Sequence, residues 1–488
     1  MGSNNLKKLL ALIVVLVLCI GFYVWLDNYK SNQDKDKEED TSQVLVDVSK
    51  DTLTEIKYKN NGKTISLKYN SKDKEWYNAK HKSWPINQEN ITSMTNAITK
   101  VVATRKLDTE EKLSEYGLEK PDLVIDYSTK KGKKYTLNIG KDVLGGTSIY
   151  CTFGDKKDVY IVESTIKTAF QYDEKKLIEV ENIPSITSNL VYDVDAKGKK
   201  FNLKAKFDGD ITNSDSGEWK ITKPYKDTIR GMASSFTDYF VNFESLAFGE
   251  CVDIDSKKLS KYGFDDPTLS IALKYMVEQS SSSESDKKKY KKAEYTLLIG
   301  KAIYEESEDE DGEKSKMPSA YYAMKKGGNR VYTIEYSTLE NILSAKPFNF
   351  IFNAVNNTDL NEYKNLKITK DDKKYTIIKT KDTNTKGDVS VTYKFNKKKY
   401  DEADGDQIYS SITELVYAKD IGNKKIKKDK TVAKLEFKGK EKGAKDTVIK
   451  ILNYDDNYYR INQDGKEYFL VSKVEMDNAL KEVINACK

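Results

Sequence analysis

The sequence is short of the side chains on which catalysis most often draws. Its 488 residues include one histidine, His81, with four cysteines and seven prolines. A single histidine excludes His-rich metal centres and leaves no familiar Ser-His-Asp or Cys-His set to assemble. His81 lies between Lys80 and Lys82 in a polar stretch, where a solvated loop position is expected. Three cysteines lie beyond residue 26: Cys151, Cys251 and Cys487. Their odd number and dissimilar contexts do not indicate a disulfide framework, so stability must come from packed cores. There is no CxxC, no GxxxxGK[ST] and no GxGxxG opening a helix. Gly145-Gly146 and Gly327-Gly328 read as turns near hairpins rather than phosphate cradles. No cofactor and no metal is expected. Charge of one sign is lacking as well: Lys+Arg 83 against Asp+Glu 77 gives a net +6. The lysine runs alternate with acids, and no basic stripe is interleaved with aromatics, so nucleic acid is not an expected partner.

What is present begins with an apolar run, Leu9–Leu26, that carries no charge. At the helical rise it spans roughly 27 Å, close to the thickness of a bilayer's hydrocarbon core. Phe22, Tyr23 and Trp25 suit the far interface, and Lys7 and Lys8 hold the N-terminus inside. A cleaved signal peptide is the rival reading, but no Ala-x-Ala-like site follows. Lipid attachment at Cys19 is a third; bulky Leu18 and the apolar run after Cys19 argue against it. The expectation is a cytoplasmic N-terminus over 1–8, a single-pass anchor over 9–26 and a flexible tether over 27–43. The bulk of the chain then lies outside the cytoplasm at the cell membrane. The tether has almost no apolar residue with which to offset chain entropy.

Beyond the tether the chain repeats itself. LSEYGLEKP at Leu113–Pro121 returns as LSKYGFDDP at Leu259–Pro267. Trp76 precedes the first copy and Trp219 the second, each after a glutamate and before a proline-containing loop. YTLNIGK at Tyr135–Lys141 matches YTLLIGK at Tyr295–Lys301. Tyr150 and Tyr160 correspond to Tyr322 and Tyr332, ten residues apart in both copies. Alternating runs predict a hairpin about Asn60-Asn61-Gly62, then strands at 122–128, 134–139, 148–153 and 158–162. Ile91, Met94, Ile98 and Val101 or Val102 follow Asn87 at helical spacing, with Asn87 as the cap. A short helix over about 164–170 closes the first unit. The second unit repeats this order, with a hairpin turning at Lys197-Gly198, a helix carrying Met232, Phe236, Phe240 and Phe243, and polar insertions at Ser280–Asp286 and Glu305–Glu313. The third is a degenerate copy: a hairpin at Asp371-Asp372, a helix carrying Ile408, Ile412, Leu415 and Val416, and Tyr458 and Tyr468 at the ten-residue spacing, without the tryptophan or the Tyr-Gly-Leu stretch. The fold expected is α+β, three tandem units of antiparallel strands with a packed helix, at 44–184, 185–348 and 349–488.

The repeated residues look like a functional motif, but all are turn and core types. In the structural reading, Tyr116 and Leu118 pack under the helix, Gly117 makes a turn, and Pro121 stops the helix. The acidic run Glu305–Glu313 lacks the ligand spacing of an EF-hand and reads as a disordered insertion. Asp265 and Asp266 are the carboxylate pair an envelope hydrolase could use. Adjacent carboxylates on a strand or turn point apart, which weakens that reading. The 33 tyrosines leave room for exposed aromatic faces that meet a glycan or a protein.

The order of these elements resembles one bacterial family, catalogued as domain of unknown function 4340. Trp76, Tyr116, Gly117, Leu118, Pro121, Ile139, Gly140, Tyr150 and Tyr160 match its pattern. Trp219, Tyr262, Gly263, Pro267, Ile299, Gly300, Tyr322 and Tyr332 match it again, with Phe264 for Leu. The likeness covers about residues 44–346, and the third unit departs from it. It implies a membrane-anchored extracytoplasmic protein, often associated with ABC-transporter systems of the gliding-motility type, and carries no catalytic residues to transfer. The expected function is non-enzymatic: a binding or scaffolding arm serving an ABC-type transporter or an envelope assembly. A module for cell-wall polymer, using tyrosine faces between units, is the alternative within binding.

Overall fold

The computed structural model describes residues 42–488, apart from 61, 109–110, 155–156, 214–216, 255, 280–287, 309–313, 357–359, 384, 386, 425, 427–429 and 441–443. The expected anchor over 9–26 and most of the tether lie outside the described residues. Gln43, placed at the tether's end by sequence, already opens a strand. No helix among the described residues is long and apolar enough to cross a membrane. The chain divides into two compact bodies, the first ending at Val180 and the second running from Glu181 to Lys488.

The first body holds β1 (Gln43–Asp47), β2 (Leu53–Asn60), β3 (Lys63–Asn70) and β4 (Glu75–Asn78), then α1 (Gln88–Thr99). There follow β5 (Lys100–Leu107), β6 (Leu123–Thr129), β7 (Lys134–Asp142), β8 (Ser148–Phe153), β9 (Val159–Glu163) and α2 (Thr165–Ala169). The second body opens with β10 (Val191–Gly198), β11 (Asn202–Asp208), β12 (Glu218–Lys223), β13 (Ile229–Arg230) and α3 (Ala233–Val241). It continues with β14 (Cys251–Asp253), α4 (Leu259–Tyr262), β15 (Leu269–Gln279), β16 (Lys289–Glu308), β17 (Lys314–Lys325), β18 (Val331–Glu335) and α5 (Tyr336–Ser344). Its last part comprises β19 (Tyr363–Lys370), β20 (Lys373–Thr383), β21 (Val389–Phe395), β22 (Lys398–Asp401) and α6 (Glu402–Thr413). The chain ends with β23 (Lys419–Asp420), β24 (Thr431–Gly439), β25 (Thr447–Asn453), β26 (Tyr458–Gln463), β27 (Lys466–Ser472) and α7 (Lys473–Ala486).

These strands make three nine-stranded sheets whose pairs are antiparallel. From one edge the order is β5, β9, β8, β7, β6, β2, β3, β4 in the first sheet. It is β14, β18, β17, β16, β15, β10, β11, β12 in the second and β23, β27, β26, β25, β24, β19, β20, β21 in the third. Topology therefore repeats three times. β1, β13 and β22 complete the nine from different edges. The third copy, degenerate in sequence, is complete in fold: its motif residues are gone, but the apolar alternation that pairs its strands remains. Leu366, Ile368, Leu435, Phe437, Ile449 and Ile451 are all buried.

Several expected elements shift by a few residues for visible reasons. Asn87 caps α1, accepting the amides of Glu89 and Asn90 at 2.9 and 3.0 Å. The helix buries Ile91, Met94 and Ile98 and stops at Thr99. Val101 and Val102 belong to β5, where β-branched residues suit the ladder with β1. In the second sheet β10 continues through Lys197-Gly198, paired on both sides, so the turn falls after Gly198. Phe243, Leu415 and Val416 lie past the ends of their helices. The start of the acidic run is a strand. β16 extends through it against β17, with Glu306 opposite Lys316.

Candidate functional site

The repeated motif builds a lock. In the first sheet the amide of Leu118 donates to the Leu113 carbonyl at 2.8 Å, and Gly117 takes a φ of +71°, a conformation that favours glycine. The second copy repeats this. Phe264 N–H donates to the Leu259 carbonyl at 3.1 Å, and Gly263, at φ +84°, closes the one-turn α4. The turn lies on the next repeated element, Ile-Gly-Lys. The amide of Lys141 donates to the Tyr116 carbonyl at 2.9 Å. A Cβ on Gly140 would lie 2.2 Å from that carbonyl oxygen, and one on Gly300 would lie 2.2 Å from that of Tyr262. Both glycines sit where the ladder slips at a bulge.

The sequence reading packs Tyr116 and Leu118 under the helix; instead the lock forms clusters of its own. Tyr116, Leu118 and Val159 form a satellite cluster with Leu107, Leu113 and Tyr150. Tyr262, Phe264, Met324 and Val331 form its counterpart, with Tyr322 against them. Tyr150 meets Tyr116 edge-on at 4.9 Å, and Tyr322 meets Tyr262 at 4.9 Å. Each motif hydroxyl donates to a carboxylate: Tyr116 to Glu111 and Tyr262 to Asp253, both at 2.7 Å. The second tyrosine of each pair serves a main core. Tyr160 joins the core under α1, and Tyr332 stacks on Phe248 at 4.5 Å. Trp76 is half-buried, its backbone held by the Gln88 side chain at 2.9 Å, and Trp219 is buried face to face with Phe236 at 4.0 Å. Pro121 and Pro267 are half-buried at the entries to β6 and β15.

Register corrects one equivalence. Tyr150 pairs with Ile161 and Tyr322 with Thr333; the residue so placed in the third sheet is Arg460, opposite Leu470. Phe469, not Tyr468, then takes the place of Tyr160 and Tyr332. The ten-residue spacing of Tyr458 and Tyr468 is coincidental. Arg460 is 1% exposed, with Nε 3.2 Å from Glu467 Oε2. A buried arginine paired with a half-buried glutamate stands where the other sheets place the aromatic contact.

His81 is a loop residue stacked on Trp84 at 3.9 Å, with Nε2 3.8 Å from Glu174. Asp265 and Asp266 are exposed on the turn after Phe264, and Asp266 pairs with Lys199 at 3.2 Å. Among the described residues the three cysteines, all buried, form no disulfide. Among the described residues no group of three or more His, Cys, Asp or Glu is placed to hold a metal ion.

Within the second body, the structure brings together residues that no motif marked. The connector leaving the second sheet is tied to both sheets. Phe352 N–H donates to the Arg230 carbonyl at 2.8 Å, and Val355 N–H to the Leu415 carbonyl at 2.7 Å. The proline loop after Trp219 forms a seam with the third sheet. Tyr225 Oη donates to Asp420 Oδ2 at 2.7 Å, Asn423 Nδ2 to the Pro224 carbonyl at 2.7 Å, and Tyr468 Oη to Asp227 Oδ2. Burial and the Asp420 carboxylate push the Tyr225 phenol up from its ordinary range. Behind the seam, Phe469 meets Tyr417 at 4.7 Å and Tyr225 at 5.4 Å.

Beside this seam opens a groove of about 450 Å³. Among the described residues three cations line it, Arg230, Lys445 and Lys466, with one carboxylate, Asp464. Arg230 lies over the Phe352 ring at 4.5 Å, with Nε 3.2 Å from Glu218. Lys466 Nζ donates to the Thr228 carbonyl at 3.0 Å. Tyr363 Oη and Thr447 Oγ1 share a hydrogen bond at 3.0 Å. Tyr417 is 8% exposed, and its hydroxyl has no hydrogen-bond partner among the described residues. Burial pushes that phenol up. These residues span positions 228 to 469 without regular spacing. The abundance of tyrosine was the one signal that pointed to aromatic faces between units.

A protein-family model, "Domain of unknown function (DUF4340)", matches residues 76–267 and 219–436. Each match starts at a repeated tryptophan, and the second extends past the resemblance legible in the sequence, through most of β24 in the third sheet. No curated protein and no solved structure matches the chain.

Proposed function

From the premise that the chain belongs to the DUF4340 family, we propose that it is a non-enzymatic binding and scaffold protein, anchored in the cell membrane with its sheets outside the cytoplasm. In this reading it serves an ABC-type transporter or an envelope assembly. One observation carries the reading. The repeated residues are spent on structure: locks at Tyr116 on Gly140 and Tyr262 on Gly300, and cores at Tyr160, Trp219 and Tyr332. What the copies share is a shape. Surfaces and joints that differ between copies are then left to meet a partner. The uncharged run Leu9–Leu26 and the polar stretch after it supply an anchor and a spacer for such an arm.

The test is recovery of the full-length protein from its own membranes in mild detergent, with associated proteins identified by mass spectrometry. The same chain lacking residues 1–43 runs in parallel. Stoichiometric transporter subunits with the full-length chain support the reading, and the form that keeps them locates the contact. Release of the full-length chain from membranes by salt or alkali, without detergent, contradicts the anchored arm.

A further inference from the structure

We propose that the groove between the second and third sheets binds an acidic saccharide, a sugar bearing carboxylate or phosphate groups. The inference rests on the binding role above and specifies its ligand. Three features converge. Charge comes first: among the described residues Arg230, Lys445 and Lys466 face one lining carboxylate, Asp464, and of the three cations Arg230 alone pairs with a carboxylate there, Glu218. Lys445 is exposed and has no carboxylate partner among the described residues. An anion is the complement of that set.

Second, Tyr417 is 8% exposed, lines the groove, and its hydroxyl has no hydrogen-bond partner among the described residues. A ligand hydroxyl or anionic oxygen would give that hydroxyl a partner within the groove. Third, the walls include the half-buried rings of Phe352 and Tyr363 among the side-chain groups of Thr447 and Gln463. Aromatic faces beside short polar groups suit a sugar, whose ring has an apolar face and a polar rim. An extended peptide would instead seek an open strand edge, but the outer side of β13 is already taken by the connector through Phe352 and Arg230. The seam through Tyr225, Asn423 and Tyr468 holds both sheets around the groove, so little ordering remains to be done on binding.

The experiment is calorimetric titration of the full-length protein in detergent at low and high salt. Trigalacturonate and glucose phosphate present the two anions on sugars; maltotriose is the neutral comparator and triglutamate the acidic peptide. The expected result is binding of at least one acidic sugar about tenfold or more tighter than both comparators, weakening at high salt. Tyr417→Phe keeps the ring and should weaken that binding about fivefold without lowering the melting temperature. Lys445→Gln with Lys466→Gln should weaken it further and flatten the salt dependence. Equal binding of maltotriose, tighter binding of triglutamate, or an unchanged affinity in Tyr417→Phe overturns the proposal. Absence of all binding at millimolar ligand also overturns it, while leaving the partner-recovery test unaffected.

Discussion

Gly140→Ala tests the lock most severely. The added Cβ would stand 2.2 Å from the Tyr116 carbonyl oxygen and about 3.0 Å from Leu118 Cγ. The first separation is about 1 Å short of contact distance, and its partner is backbone, which cannot rotate away. That oxygen already accepts the Lys141 amide at 2.9 Å, one residue along the same strand. To make room, the turn must lift. Lifting breaks a hydrogen bond of about 1 kcal/mol and re-exposes part of Tyr116 and Leu118, at about 2 kcal/mol each. The expected cost is about 3–5 kcal/mol, high for a single methyl group. It falls on the satellite cluster rather than on the core under α1, so a global melt would understate it. Hydrogen exchange at the Lys141 amide reads the local opening directly, with an expected acceleration of about a hundredfold or more. Gly146→Ala is the control, since its Cβ would meet nothing nearer than 3.7 Å. If Lys141 exchanges alike in the two variants, the lock is not a lock.

Three further outcomes follow from the same geometry. Asn87→Ala removes both cap bonds of α1 and should cost about 1 kcal/mol in urea unfolding, whereas Asn87→Asp should retain most of it. Tyr225→Phe removes the bond to Asp420 at the seam. It should cost about 1–2 kcal/mol and speed proteolysis between the second and third sheets; an unchanged cleavage rate would show that the aromatic cluster alone holds the seam. Burial raises the Cys151 thiol to about 12 and Cys487 to about 11, against 9.0 ordinarily. The fold therefore favours the protonated thiols. Their contribution is full below the unfolded value and is lost as pH rises from about 9 through 11 to 12. Native protein at pH of about 9 should resist alkylation at both positions until urea is added; fast native labelling of Cys151 would contradict its burial.

Much of the fold is legible in the sequence because period-two alternation is a local signal. The strands expected at 134–139 and 148–153 begin at Lys134 and Ser148, and the latter also ends at Phe153. The hairpin turn at Asp371-Asp372 appears with both residues at positive φ. Misreadings arise where a local cue lacks its long-range partner. Lys197-Gly198 looks like a turn, but pairing with β11 and β15 keeps it extended. The third unit looks worn because its lock is gone, although strand pairing does not depend on the lock. Tyr458 and Tyr468 imitate a spacing whose true register falls on Arg460 and Phe469. Of the groove, only the abundance of tyrosine left a trace in the sequence. Arg230, Tyr417 and Lys466 come from three separate loops and strands, brought together by a connector and a seam that no periodicity encodes.

In the proposed division of labour the repeated residues build the sheets and the unrepeated groove binds. A single paired measurement tests it: Lys141 amide exchange and acidic-saccharide affinity of the full-length protein carrying either Gly140→Ala or Lys445→Gln with Lys466→Gln. The division predicts that the first variant loses local stability and keeps affinity, while the second keeps stability and loses affinity. Loss of affinity in Gly140→Ala, with the lysine pair dispensable, would contradict it and move the binding site to the repeated motif.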